Sequence, residues 1–310
     1  MPSKPELLVS VGSLEELERV IDAGADAVNI GDNQYGVRMP GHFALPDLKQ
    51  AIKAAHQKGR KAYVSVNNLM DHKLLKGLPE YLTELVHAGA DAIVFGDPAV
   101  LMALKQANVQ IDLHWNAEMT STNYVTANYW AKKGAVRAVL SRELNLQEVH
   151  EIKRNVRMEV QVQVHGITNI YHSKRHLLQS YMDHCGKKVS PASFAPEQGL
   201  FLVEHERPGL RFPIYEDQNG THIMSAEDIC MLDTLDELLE EPVDSLKIEG
   251  FMKSAEYNET VVRSYREALD AYFADPANYR FNDEWLRRIE ALQDPHRELT
   301  YGFFFKEQVY

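Results

Sequence analysis

The 310-residue chain has only two cysteines, Cys185 and Cys230. That scarcity excludes a disulfide framework and fits a reducing, cytoplasmic setting. Positive charge is not in excess either. A net charge of −12 favours solubility and argues against a broad nucleic-acid surface, which normally shows as basic excess. No run is long and apolar enough to span a bilayer. The opening Met1-Pro2-Ser3-Lys4-Pro5-Glu6 lacks the apolar core of a signal peptide, so no membrane role is expected. No glycine-rich dinucleotide turn follows the first apolar strand. No Gly-x-Ser-x-Gly elbow and no His-Glu-x-x-His pair occurs. What remains is ordinary for a globular protein: 45% hydrophobic and 25% charged residues, in a length that suits one large domain or two small ones.

A weak internal repeat organises the first half. Ile21-Asp22-Ala23-Gly24-Ala25-Asp26-Ala27-Val28 recurs as Val86-His87-Ala88-Gly89-Ala90-Asp91-Ala92-Ile93, and more loosely at Lys133–Val139. Each copy reads as a helix end, a glycine cap, a turn and an apolar strand. Eight strands are expected, at 7–11, 27–31, 61–67, 92–95, 110–116, 138–141, 158–165 and 245–249. Amphipathic runs at 13–23, 48–58, 78–88, 98–107, 121–133 and 145–155 separate most of them. Ser13 and Glu16 make a capping box before the first. Strands and helices in strict alternation predict parallel strands with crossover helices, hence a TIM-like (β/α)8 barrel. An open doubly wound sheet is the alternative.

One connection breaks the rhythm. Residues 166–244 are far longer than a barrel loop and carry five prolines, so they are expected to form an inserted lobe between strands 7 and 8 with a small antiparallel sheet. Within it, 225–239 reads as helical. The expected division is 1–165 and 245–275 for the barrel, 166–244 for the lobe, and 276–310 for a C-terminal helix and an aromatic tail.

Barrel strands are buried on both faces and usually read as apolar runs. Several here alternate instead. Side chains two apart share a face, which aligns Glu159, Gln161, Gln163 and His165, and likewise Asp112, His114 and Asn116. Ser65 shares a face with Asn67, Asn29 with Gly31, and Lys247 with Glu249. With the apolar faces on the helices, these polar faces look into the barrel and line its mouth. A lysine and a glutamate aimed together into a core are costly unless they pair or bind something. The set suits a small, oxygen-rich anion better than it supplies a nucleophile. A satisfied polar network that merely fills the barrel is the structural alternative. Arg142, just past the sixth strand, could clamp a carboxylate in a bidentate way.

Ser245-Leu246-Lys247-Ile248-Glu249-Gly250-Phe251-Met252-Lys253-Ser254 and the helical run behind it closely resemble the closing motif of the peptidase U32 family, the collagenase-like peptidases. The segments AVNIGDNQYGVRMPGHF, LHWNAEMTSTN, VLSRELNLQEV and SAEDICML and the His165-Gly166 turn resemble the family as well. The resemblance implies RNA hydroxylation rather than established proteolysis. In cluster-bearing members four cysteines hold an iron–sulfur cluster. Here Asn169 and His176 stand at the first two cysteine positions, Arg175 keeps the arginine between them, Cys185 lies near the third, and Cys230 keeps the fourth. Two cysteines fall short of four thiolates, so no iron–sulfur cluster is expected. His172 and His176, at helical i, i+4 spacing, read as solvated helix residues rather than zinc ligands. No metal is expected.

The length, the lost cysteines and the YGFFF tail resemble the shorter, cluster-less member of a bacterial pair that hydroxylates the wobble uridine of tRNA to 5-hydroxyuridine with prephenate as co-substrate. The resemblance implies a cluster-bearing paralogue as partner and tRNA bound through the complex. The polar strand faces, with Arg142 and Arg175, give the candidate ligand-binding set: Asn29, Asn67, His114, Asn116, Arg142, Gln163, His165, Arg175, Lys247 and Glu249. A U32-type metal- or thiol-dependent peptidase and a non-catalytic scaffold subunit are the alternatives.

Overall fold

The computed structural model describes residues 4–116 and 122–307. Residues 117–121, which include the expected helix start at Ser121, and Gln308–Tyr310 lie outside the described residues. Strand and helix alternate as β1 (Glu6–Ser10), α1 (Leu14–Asp22), β2 (Ala27–Ile30), α2 (Leu45–Gln57), β3 (Lys61–Val66), α3 (His72–His87), β4 (Ala92–Phe95), α4 (Ala99–Ala107), β5 (Asp112–Asn116), α5 (Tyr124–Ala131), β6 (Ala135–Val139) and α6 (Leu146–Asn155). A long β7 (Glu159–Ser173) then leads into α7 (Leu177–His184), β8 (Phe201–Leu202), β9 (Phe212–Asp217), β10 (Gly220–Cys230) and α8 (Leu235–Leu239). The chain closes with β11 (Ser245–Ile248), α9 (Ala255–Ala274), α10 (Asp283–Glu290) and β12 (Leu299–Thr300).

Strands β1 to β7 pair in chain order, all parallel. β11 joins both β7 and β1 and closes the eight-stranded barrel. The expected TIM-like barrel is the observed one. Outward side chains such as Leu7, Val9, Val28, Ile30, Val64, Ile93, Phe95 and Trp115 are buried among the helices. At about 1.5–3 kcal/mol per fully buried apolar side chain, this layer is the main stabilising term.

The Gly-Ala-Asp repeat has a mechanical reason. Gly24 and Gly89 take positive φ (114° and 85°) to end their helices. Asp26 then accepts from Leu7 N at 3.0 Å, and Asp91 from Ala62 N at 2.8 Å. Asp244 does the same for Val160 N at 2.6 Å. Each aspartate satisfies the backbone donor of the second residue of a strand at the barrel floor.

Some expectations need correcting. Helix α3 begins at His72 rather than Leu78, because Asp71 caps Lys73 N and Leu74 N at 2.9 Å, about two turns ahead of Pro79. β6 begins at Ala135, which turns Arg137 inward. Ser13 caps Glu16 N at 3.1 Å, but the Glu16 carboxylate reaches Gly12 N at 2.7 Å, so the capping box is displaced by one residue. Residues 225–230, read as helix, are the second half of β10. His172 lies on β7, and His176 stands just before α7 with its ring on Asp217 O, so these two histidines are not one helical turn apart.

The 166–244 segment does not simply plug into a gap. β7 runs out of the barrel and continues as the antiparallel partner of β10. β9 and β8 extend that sheet, and β12 joins β10 from the C-terminal end. The passage between the two sheets is Gly166, at φ 99°.

Candidate functional site

The carboxyl ends of the barrel strands deliver a ring of polar side chains. Ser10, Asn29, Ser65, Gln161 and Lys247 project inward from β1, β2, β3, β7 and β11. Asn67, Arg142 and Glu249 stand just beyond β3, β6 and β11, and Asn116 ends β5. Lys247 Nζ pairs with Glu249 Oε2 at 2.8 Å, with both side chains largely buried. The Ser10 hydroxyl donates to Glu249 Oε1, which also accepts from Phe251 N at 3.2 Å. Ser10 Oγ in turn accepts from Gly250 N at 2.8 Å. Glu249 is therefore held on three sides, which is what a buried carboxylate requires. Ser65 Oγ donates to Asn29 Oδ1 at 3.0 Å.

The loop after β2 folds over this ring. Val37 N donates to Asn67 Oδ1 at 2.9 Å, and Asn68 Nδ2 to Gln34 O at 2.9 Å. Arg38 follows Val37 in the loop at φ 58°, a left-handed conformation that is rare for a side chain of this size. It brings a second arginine, with Arg142, to the lining of the mouth. Arg38 escaped the sequence reading because it belongs to a loop, where strand alternation says nothing. The segment YGVRMP did carry the family resemblance.

Of the ten expected ligand-binding residues, Asn29, Asn67, Asn116, Arg142, Lys247 and Glu249 line the mouth. The other four do not. His114 points into the barrel but lies below the mouth, edge-on to Tyr63 at 4.5 Å. Burial, with help from Arg137 and Lys61, pushes its pKa down to about 2. Gln163 is buried and spends its amide on the carbonyls of His165, Gly166 and Ile167. His165 points the other way. β7 gains one residue against β11 between Gln163 and His165, and that bulge turns the imidazole outward. It is fully buried under α9, with Nε2 2.9 Å from Tyr257 Oη, and burial pushes its pKa down to about 3. Arg175 is exposed in the turn before α7.

The sequence reading also missed the barrel floor. Arg137 meets Glu6 at 2.5 Å and Glu159 at 2.7 Å and stacks on the Tyr63 ring at 5.2 Å. Tyr63 Oη and Ser245 Oγ donate to Glu6 as well. Burial opposes the Arg137 charge, but Glu6 outweighs it and the guanidinium stays firmly protonated. The cluster plugs the floor, so the polar mouth is the accessible end of the barrel.

A wider groove lies beside the mouth, with a volume of about 820 Å³ against about 30 Å³ of free space in the mouth. Its walls are the outer part of β7, the 204–212 loop of the lobe and the tail 300–306. Arg142 and Asn169 line both spaces.

The cysteine positions do not converge on the mouth. Cys230 is buried, 4.0 Å from Tyr265 Oη on the α9 side, and burial pushes its thiol up to about 12. Cys185 is exposed at the end of α7, while Asn169 borders the groove. Among the described residues, no group of three or more His, Cys, Asp or Glu side chains is arranged to hold a metal ion. The mouth can recognise carboxylate, hydroxyl and carbonyl groups through its arginines, amides and the Lys247–Glu249 pair.

The profile of Peptidase family U32 matches residues 12–309. The chain is a member of peptidase family U32. This U32 protein is 45% identical over 308 residues to tRNA hydroxylation protein P2 of Bacillus subtilis, covering 99% of each chain. It is 30% identical to tRNA hydroxylation protein P1 of the same organism and 31% identical to tRNA hydroxylation protein P of Escherichia coli. It covers 74% of each of those longer relatives. Among solved structures, the U32 peptidase Mk0906 matches 80% of this chain and 94% of its own, at 15% identity and a TM-score of 0.52. That likeness speaks for the shared fold.

Proposed function

We propose that this U32 protein is a tRNA hydroxylation factor of the P2 kind, acting beside a longer family member of the P1 kind. The observation that carries the reading is the 45% identity spread over 99% of both chains. B. subtilis holds relatives of both lengths, which supports a pair. In this reading the longer partner carries the iron–sulfur cluster and this chain carries none. The reaction converts the wobble uridine of tRNA to 5-hydroxyuridine in the cytoplasm. No helix among the described residues is long and apolar enough to cross a membrane.

The anionic co-substrate would sit where the mouth opens into the wider groove, because the roughly 30 Å³ of the mouth itself is too small to enclose it. Prephenate carries two carboxylates, a keto oxygen and a hydroxyl. Arg38 and Arg142 suit the carboxylates, and Asn29, Asn67 and Asn116 suit the neutral oxygens. Lys247 and Glu249 add an ion pair to the same ring. A net charge of −12 disfavours tRNA binding by this chain alone and favours a heteromer.

Nucleoside mass spectrometry of tRNA from cells with and without the gene tests this directly. Disappearance of 5-hydroxyuridine and its derivatives is expected, and unchanged levels in a strain with no second copy would sink the proposal. Co-purification with the longer family member tests the pairing. A cysteine-peptidase reading has little chemistry behind it, because Cys230 is buried and protonated. Proteolysis that disappears in a Cys185→Ser, Cys230→Ser double variant would revive it.

A further inference from the structure

The groove beside the mouth is built unlike a phosphate track. Arg142, Arg207 and Lys306 line it, but so do Glu143, Glu204 and Glu227. Arg207 is already paired with Glu204 at 2.6 Å. Such a balance does not attract a polyanion backbone. What stands out instead is a pair of half-exposed rings, Tyr171 on β7 and Phe303 on the tail.

Phe303 is not a loose surface ring. Its segment is fastened on both sides. Thr300 pairs with Ile229 of β10, and Tyr301 Oη donates to Asp233 at 2.8 Å. Phe304 is buried, and its carbonyl accepts from Leu146 N at 2.9 Å. The tail thus buries Phe304 and leaves the preceding ring, Phe303, at the groove, with Lys306 over it at 5.1 Å. Rigid aromatic faces are how proteins hold unpaired bases, and stacking of this kind tolerates any sequence around the base.

Between the groove and the mouth stands Asn169. Its Oδ1 is buried with no hydrogen-bond partner. An amide offers one acceptor and two donors, the complement of the uracil N3–H and its neighbouring carbonyl. The groove volume, about 820 Å³, lies within the roughly 300–1,000 Å³ usual for small-molecule sites and can hold a nucleotide.

We infer that this groove receives a single unstacked uracil of an RNA loop, sandwiched by Tyr171 and Phe303 and read by Asn169. The inference rests on the hydroxylation reading above and adds where the base sits. The base enters beside the mouth, because Asn169 and Arg142 belong to both walls. The phosphates stay outside the groove, where a second protein must hold them.

The test uses a 17-nucleotide-scale anticodon stem-loop carrying 5-iodouridine at the wobble position, bound to the chain alone and to its co-expressed complex with the longer family member. Photocrosslinks to Tyr171 or Phe303 are expected. Phe303→Leu and Tyr171→Leu, which keep apolar bulk but remove the ring, should each raise Kd about ten-fold with unchanged melting temperature. Asn169→Ala should weaken a uridine loop more than a cytidine loop. Crosslinks that map elsewhere, or ring variants that bind normally, overturn the inference while leaving tRNA hydroxylation standing. RNA binding in neither preparation also overturns it. The hydroxylation reading falls with it only if deleting the gene leaves 5-hydroxyuridine unchanged.

Discussion

Lys247 and Glu249 show what a polar pair inside a barrel has to satisfy. Removing only one partner strands the other, which typically costs about 3–5 kcal/mol when the pair is fully buried. These two keep some exposure, so Lys247→Met should cost about 2–3 kcal/mol in urea unfolding, and Lys247→Met with Glu249→Leu should recover part of that loss. Same-sized neutral replacement of both residues should leave the fold intact and abolish hydroxylation. Normal hydroxylation in a folded variant would reduce the pair to packing. His165 and His114 give a pH signature. Both are held neutral, with pKa values of about 3 and about 2 against an ordinary 6.5. Below pH 6.5 the unfolded chain takes up protons that the folded chain refuses. Their stabilising contribution is therefore complete above about 6.5 and is lost as pH falls towards the folded values. Each histidine adds a slope of about 1.4 kcal/mol per pH unit in that window. His165→Asn should remove one such slope from unfolding free energies measured between pH 5.5 and 4, and an unchanged slope would contradict its buried, neutral state.

At the scale of elements, the barrel was legible because its strands alternate on a polar period of two and its helices end on glycine. Two places were not. β10 was read partly as helix, although its burial alternates cleanly from His222 to Asp228. The alternation is hidden because the buried face carries His222 and Asp228 while Ile223 faces outward. Asp228 tolerates full burial through Arg297 at 2.7 Å and Lys253 at 2.5 Å, contacts from distant parts of the chain. Burial raises its pKa, but those two cations outweigh it and hold the carboxyl well below its usual range. The second place is the β7 bulge, which put His165 on the wrong face by one residue. Only the tertiary pairing with β11 fixes that count. The mouth residues ahead of such irregularities, from Asn29 to Lys247, were legible, and the loop-borne Arg38 was not. Gly166 marks the spot where β7 leaves the barrel. A Cβ there would sit 2.3 Å from Glu249 O, on a backbone that side chains disfavour. Gly166→Ala should destabilise by more than about 2 kcal/mol, an effect checked by urea unfolding.

For the whole molecule, the lobe and the barrel share β7, and the C-terminal segment joins both through Arg297 and β12. The lobe's Asn219 also ties down the barrel loops, accepting from Asn68 at 2.7 Å and donating to Asn33 O at 3.0 Å. A single cooperative unfolding transition is expected by calorimetry. Limited proteolysis should release no stable fragment spanning 166–244, and recovery of a folded one would show the lobe to be independent.

Arg142 and Asn169 stand in the partition between two spaces, so neither space can be filled without the other registering it. Whatever factor an anion in the mouth lends to RNA in the groove, seated RNA must return in equal measure to the anion. The protein would then work as a coincidence detector, committing to neither ligand until both have arrived.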